Sequence, residues 1–401
     1  MNQPHASPKP IASRAPITRS WLAGCWLALA SFAASAQPAV TPPQVLQHYA
    51  VIVHAGYEDS LTAAKTMQAA ITQFLAAPSA ESLAAARRSW LAAREIYGQT
   101  EAFRFYAGPI DREGGPEGRI NAWPMDEAYV DAVQGNAKTG IINDPKVSIT
   151  KARLAALNEK GGEENVSTGW HAIEFLLWGQ DLRADGAGDR PYTDFVDGKA
   201  PNAARRGLYL KTITELLIDD LASLVKAWAL ASDKAAKNYR ASFVGNPANV
   251  AKMMRGIGAL SRGELAGERL EVALDSQSQE DEHSCFSDNT HRDVVANAIG
   301  IRNVWRGQYK RLDGTLLQGP SLRDLVAAKN PAVAAKVDAQ MDASVAAAEA
   351  IPAPFDQAIL VGNPGRAKIE ATVVALKAQA QGLTEAATVL GIKRLDTSIP
   401  K

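Results

Sequence analysis

The feature that most restricts the fold is an apolar stripe with helical spacing in the middle of the sequence. Its members lie three or four residues apart and are Leu210, Ile213, Leu217, Leu221, Leu224 and Trp228. Side chains at these spacings share one face of an α-helix, and an apolar face of this width has to be buried against other elements. Comparable segments rich in Ala, Leu, Glu, Lys and Arg recur along the chain, whereas the period-two alternation of strands is almost absent outside the loops. The sequence therefore predicts an all-α protein.

Further helices are predicted on the same grounds at about residues 44–77, 82–106, 250–274, 291–309, 332–350 and 367–381. Gly and Pro punctuate the connectors, and residues 182–202 are the best candidate for an interdomain linker. A chain of 401 residues is too long for one compact helical bundle. We therefore expect two helical-bundle domains packed together, an N-terminal one over residues 37–204 and a C-terminal one over residues 205–401.

The first 36 residues are typical of a secretory signal peptide. Three basic residues and no acid precede an apolar run at residues 21–34, too short to span a bilayer, and Ala34-Ser35-Ala36 follows it. Cleavage after Ala36 would give an exported, periplasmic chain whose only cysteine is Cys285, so no intrachain disulfide could form. The alternative is an outer-membrane lipoprotein, because Leu22-Ala23-Gly24-Cys25 fits the site at which bacterial lipoproteins are cleaved and acylated.

Composition and charge describe an ordinary soluble globular protein, with 46% apolar and 21% charged residues. Without the predicted signal peptide, which carries three basic residues and no acid, 40 basic side chains face 43 acidic ones. The formal charge of −3 gives no indication of a nucleic-acid partner.

A histidine and a glutamate follow a helix-start sequence at Thr168-Gly169. His171 and Glu174 are three residues apart, so that both side chains lie on one helix face and can converge on one ion. The His-Glu-x-x-His motif of zinc peptidases is absent, because Phe175 stands where its second histidine should be. The alternative interpretation is a hydrogen-bonded pair that satisfies two polar groups. Two ligands are also too few for a tight metal site, so others would have to come from elsewhere.

Two other segments carry unusual polar groups. Residues 280–291 are dense in cation-binding side chains, including Asp288 and His291, although such residues also cap helices. Within this segment Cys285 is better explained as a small buried residue than as a nucleophile. The other segment places Trp90, Arg94, Tyr97, Glu101 and Arg104 on one helical stripe. Charges on such a stripe need partners, which indicates either a polar cleft or an internal ion-pair network.

Together these segments resemble the imelysin-like family, also classified as peptidase family M75. The matching stretches are residues 89–105, 121–127, 169–174 and 285–291, which read SWLAAREIYGQTEAFRF, NAWPMDE, GWHAIE and CFSDNTH. The resemblance runs over nearly all of the mature chain, from about Tyr49 to the last helix. Several motifs in the right order make it specific, whereas Gly-x-His-x-x-Glu alone would not.

The resemblance implies a two-domain all-helical fold with the motif residues gathered near the domain junction. It also implies an exported bacterial protein, periplasmic or attached to the outer membrane, that takes part in iron uptake or regulation. The family's Gly-x-His-x-x-Glu element falls on Gly169, His171 and Glu174 without a departure.

Three functional hypotheses follow. The first is a metal-binding protein of iron handling with His171 and Glu174 as core ligands. Candidates to complete the site are Glu101, Asp288 and His291. Iron is favoured over zinc as the metal, and partners in an iron-uptake system are expected. The second is an M75 metallopeptidase in which a carboxylate such as Glu101 acts as the base. The third is a metal-free module that binds a ligand between Trp90, Tyr97, Trp123 and Trp170.

Overall fold

Helices dominate the part of the chain that the structure, a computed structural model, describes, which is residues 40–230 and 238–399. The N-terminal half contains α1 (Pro42–Ala76), α2 (Ala80–Thr100), α3 (Glu117–Asn121), α4 (Glu127–Val130), α5 (Lys151–Leu157), α6 (Gly169–Trp178) and α7 (Ala203–Trp228). The remainder contains α8 (Tyr239–Val244), α9 (Val250–Ala259), a π-helix (Leu260–Glu271), α10 (Val272–Ser276), α11 (Thr290–Arg306), α12 (Leu322–Ala327), α13 (Pro331–Glu349), α14 (Phe355–Ala358) and α15 (Arg366–Val389). The predicted signal peptide, with Cys25, lies outside the described residues.

The core forms where the long helices pack on one another. Helix α1 lies along α2 and α7, α2 also contacts α6 and α11, and α13 packs between α11 and α15. All six residues of the apolar stripe on α7 are buried, which confirms the helix and the face predicted from their spacing. The all-α prediction is likewise confirmed, since the strands described are two short ones, β1 (Gln308–Lys310) and β2 (Leu316–Gln318), paired as a hairpin.

Two predicted helices end earlier in the structure than in the prediction. The helix expected to reach residue 106 changes to 3-10 geometry at Glu101–Phe103, and Phe105 then has a left-handed φ of 70°. The helix expected to reach residue 309 ends at Arg306, where Gly307 takes a φ of 60° and leads into β1. The N–H of Gly307 still donates to the backbone oxygen of Asn303, and the left-handed conformation then turns the chain out of the helix.

The segment proposed as a linker is attached to the rest of the fold through a buried aspartate. Arg190 donates to Asp131 Oδ2 at 3.0 Å, and Arg206 at the start of α7 donates to the same oxygen at 2.7 Å. A short 3-10 helix, Tyr192–Phe195, lies between these arginines. The division of the chain near residue 204 stays a prediction.

Within the described residues, no helix combines the length and the apolarity needed to span a membrane.

Candidate functional site

Helix α6 places His171 and Glu174 in the interior, since all ten of its residues are buried. It begins at Gly169, whose φ of +87° favours glycine. A Cβ at this position would lie 2.4 Å from the backbone oxygen of Ile120, so a larger residue would force the helix start away from α3. Gly169 therefore sets how deeply the following histidine and glutamate are buried.

His171 and Glu174 lie together as a hydrogen-bonded pair, the alternative that their spacing left open, and their role as shared metal ligands stays a prediction. His171 Nδ1 lies 3.0 Å from Glu174 Oε2, and Glu174 Oε1 accepts hydrogen bonds from the backbone N–H of Ser287 at 3.0 Å and from its hydroxyl at 2.6 Å. Burial raises the pKa of Glu174 to about 8, although the bonds from Ser287 partly oppose this shift. Burial also lowers the pKa of His171 well below its ordinary value, so the ring is neutral. The loop of residues 280–291 therefore contacts α6 through Ser287.

A second histidine, His283, lies against the first and was missed among the candidate ligands. Its ring centroid is 4.8 Å from that of His171, and its Nδ1 is 2.8 Å from Asp293 Oδ2. Burial and the charge of Arg269 lower the pKa of His283 to about 4. No local spacing relates His283 to His171, because the contact joins segments far apart in sequence. Its place in the dense polar segment was the only available signal.

The second ring nitrogens of the two histidines share one property. Nε2 of His171 and Nε2 of His283 are both buried and have no hydrogen-bond partner among the described residues. In each ring, Nδ1 faces a carboxylate, Glu174 or Asp293. Histidines that ligate metals usually have this pattern, with one nitrogen held by a carboxylate and the other turned to the ion.

The charged stripe of α2 forms an internal ion-pair network. Arg94 donates to Asp293 Oδ2 at 3.0 Å and to Asn121 Oδ1 at 2.6 Å, and Asn121 donates to Glu101 Oε1 at 2.9 Å. The other oxygen of Glu101 accepts from Arg104 at 2.6 Å and from Arg269 at 2.9 Å. Of the two interpretations of the stripe, the structure shows the network.

Glu101 is occupied by this network. Burial alone would raise its pKa, but the charges of Arg104 and Arg269 outweigh burial and lower the pKa to about 2. Both oxygens have cationic or amide donors, and neither forms a hydrogen bond with His171 or Glu174 within the described ranges. The structure does not bring Glu101 to the pair as a further ligand.

Asp288 and His291 lie in other surroundings. Asp288 groups with Glu282 and Asp356, and their ligand oxygens lie within 4.8 Å of one another. In the part of the chain that the structure describes, this is the one group of three His, Cys, Asp or Glu at that spacing. His171 and Glu174 therefore have no third such ligand equally close. The half-buried His291 has its Nδ1 3.1 Å from the backbone oxygen of Asp288.

Comparison with known proteins identifies the family. The family model named Imelysin, peptidase family M75, matches residues 53–383. The chain belongs to the imelysin family. It is 27% identical over 312 residues to iron-regulated protein A of Synechococcus elongatus, covering 76% of this chain and 74% of that protein. Its structure is similar to the crystal structure of a protein described as an iron-regulated protein A precursor from Parabacteroides distasonis ATCC 8503, with a TM-score of 0.67 and 21% identity over 89% of this chain and 97% of that one. The latter likeness shows the shared fold.

In this imelysin-family chain, three of the four aromatic residues suggested as a ligand platform are core residues. Trp90, Tyr97 and Trp170 are 0% exposed, and Trp90 donates its indole N–H to the backbone oxygen of Trp170 at 3.1 Å. Trp123 is half-buried and donates to the backbone oxygen of Glu282 at 2.7 Å. These rings pack around the polar residues and hold them in place.

The lone described cysteine of this imelysin-family chain, Cys285, is buried and forms no disulfide. Burial, together with the nearby carboxylates of Glu174 and Glu282, raises the pKa of its thiol well above the ordinary value. A thiol is a poor nucleophile when its thiolate is disfavoured in this way. Cys285 is therefore a buried packing residue, as its sequence context suggested.

Proposed function

We propose that this imelysin-family protein is an exported metal-binding protein of iron handling, and that its ion is held by His171 and His283. The observation that carries the proposal is the pair of buried, unpartnered Nε2 atoms on neighbouring rings. A buried polar atom without a partner is costly in a folded protein, and a bound ion would supply the missing interaction.

The protonation states of the two imidazoles support the same assignment. Burial favours the neutral form of both imidazoles, and the neutral form is the one that coordinates metal. Glu174 and Asp293 would then orient the rings from behind, and Glu174 is itself fixed by its two bonds from Ser287. We accordingly assign Glu174 chiefly to holding His171, while His283 takes the place of a second ligand.

Imidazole nitrogens suit iron and zinc equally, so the donor type does not select the metal. Iron is favoured because the relatives are named iron-regulated protein A, and a role in iron uptake beside other uptake components is part of the proposal. Two protein nitrogens are fewer than a structural metal site uses. This is consistent with an ion that is taken up and passed on. The predicted signal peptide supports export to the periplasm, with attachment through Cys25 as the alternative.

The peptidase alternative has weaker support from the site. A metallopeptidase needs a carboxylate that can accept a proton from metal-bound water. Glu101, the base suggested from the sequence, is held ionised between Arg104 and Arg269 at a pKa of about 2. A carboxylate of such low pKa is a weak base, and we do not propose proteolysis.

The test is metal binding by chelator-stripped protein, with Fe²⁺ under anaerobic conditions and Zn²⁺ in parallel. His171→Ala and His283→Ala should each weaken binding about tenfold or more. His54→Ala is the matched control, because His54 is half-buried on α1 and pairs with Glu58 instead. Circular dichroism and thermal melting would check that each variant folds. Equal binding by wild type and both histidine variants would refute the proposal.

A further inference from the structure

Three carboxyl groups come together where the loop of residues 280–291, which carries His283, meets α14. Glu282 and Asp288 come from this loop, and Asp356 comes from the first turn of α14. One oxygen of each lies within 4.8 Å of the others, and the side chain of Asp181, from the segment after α6, lies beside Asp288. Segments distant in sequence thus bring four acidic side chains together at a largely buried position.

Glu282 is the unusual member of this carboxylate cluster. It is 0% exposed, and neither of its carboxylate oxygens has a hydrogen-bond partner within residues 40–230 and 238–399. Burial and the neighbouring Asp288 raise the pKa of Glu282 well above its ordinary value, and the nearby Thr290 hydroxyl, which makes no hydrogen bond of normal geometry to it, opposes this shift. Asp288 and Asp356 each contribute a further buried oxygen, Oδ1, that is also unpartnered. Four buried carboxylate oxygens are therefore left without donors from the described parts of the chain.

The described protein residues do not neutralise the carboxylate cluster. No lysine or arginine in the described ranges forms an ion pair with Glu282, Asp288 or Asp356; the nearby Arg183 pairs with Asp185 and Asp189 at the surface. Other acidic groups of this protein are matched, for example Asp131 with two arginines. Burying like charges without a counter-ion is expensive, and such groups are normally paired or bind a metal.

We propose that Glu282, Asp288 and Asp356 form a binding site for a hard divalent cation, with Ca²⁺ as the principal candidate. Ca²⁺ takes carboxylate and carbonyl oxygens in irregular arrangements, and Mg²⁺ and Mn²⁺ also prefer oxygen donors. The site differs from the imidazole pair in its donor atoms and does not depend on the function proposed above. By joining the loop of residues 280–291 to α14, the cation would hold together parts of the chain that are distant in sequence.

The experiment is calorimetric titration of the chelator-stripped full chain with Ca²⁺, and separately with Mg²⁺ and Mn²⁺. Wild type should bind one Ca²⁺ and show a raised melting temperature. Asp356→Asn and Glu282→Gln, which keep the side-chain shape, should weaken binding about tenfold or more. Glu280→Gln removes an exposed charge from the same loop outside the cluster and should bind as wild type does.

A second measurement separates a cation site from a purely structural role. Without added cation, Glu282→Gln should melt at the same temperature as wild type or higher, because it removes a buried carboxyl group whose oxygens have no donors in the described ranges. His171→Ala should leave Ca²⁺ binding unchanged. The proposal would be overturned if wild type bound none of the three cations up to about 10 mM, if Asp356→Asn bound Ca²⁺ as wild type does, or if His171→Ala abolished the binding.

Discussion

Arg94 is the centre of the buried network, and replacing it is the sharpest test of how that network stabilises the fold. The side chain is 1% exposed, donates to Asp293 and to Asn121, and lies 3.4 Å from Nδ1 of His283. Arg94→Ala would leave Asp293 as a buried carboxylate without its cationic partner. Removing one member of a buried ion pair typically costs about 3–5 kcal/mol, because the other charge stays desolvated.

The magnitude has a second component, since Arg94 also lies over the rings of Trp90 and Tyr97 at 5.7 and 5.5 Å from their centroids. Its removal leaves a cavity between these rings and weakens their packing. We therefore expect a loss at the upper end of the range, about 4–5 kcal/mol of unfolding free energy. For a protein of marginal stability, this is a large fraction of the total.

The assay is urea unfolding of wild type, Arg94→Ala and Arg88→Ala, followed by tryptophan fluorescence and circular dichroism. Arg88 is on the same helix but exposed, so Arg88→Ala should change the unfolding free energy by less than about 0.5 kcal/mol. The double variant Arg94→Met with Asp293→Asn should recover part of the loss, because it removes both charges. A loss for Arg94→Ala no larger than that for Arg88→Ala would refute the reasoning.

Two further predictions concern the backbone and the acid limb of stability. Gly169→Ala should destabilise the protein by about 3 kcal/mol or more, because it combines an unfavourable φ with a backbone clash. Gly198 has a φ of +77° with open space around it, so Gly198→Ala should cost only about 1 kcal/mol. Equal unfolding midpoints for the two variants would contradict this. Glu101 has a depressed pKa of about 2, so its stabilisation is complete above the ordinary value of 4.5 and is lost as pH falls from 4.5 towards 2. Glu101→Gln should therefore be less stable than wild type at pH 7 by about 3 kcal/mol, and the gap should narrow over this acidic range; a gap independent of pH would contradict the assignment.

Sequence reasoning succeeded where the information is local. The stripe on α7 and the pairing of His171 with Glu174 depend on spacing within a single helix, and a period of 3.6 residues fixes both. For the charged stripe on α2, the sequence does not decide between a polar cleft and an ion-pair network, because the information needed is not local. Its partners, such as Asp293 and Arg269, come from other helices, and no spacing rule identifies them.

The same distinction explains what was missed in the site. Asp288 belongs to a segment whose sequence is dense in potential ligands, but its neighbour Asp356 lies on α14, and only the tertiary fold joins them. The sequence does not indicate that His283 contacts His171, because the two residues belong to segments that are distant in sequence. The predicted ends of two helices are wrong for a different reason. The backbone leaves α-helical geometry at Glu101–Phe103 and at Gly307, although the side-chain pattern continues beyond both points.

The loop of residues 280–291 places adjacent residues in two chemically different surroundings. Glu282 belongs to the carboxylate cluster, while the next residue, His283, contacts His171. Likewise, Ser287 donates to Glu174, while the next residue, Asp288, belongs to the cluster. Nitrogen donors on one side and carboxylate oxygens on the other select different ions, since borderline metals prefer imidazole and hard cations prefer oxygen. A cation that fixes Glu282 and Asp288 would also fix the backbone that positions His283 and Ser287. The carboxylate cluster is thus placed to order the loop on which the imidazole pair depends.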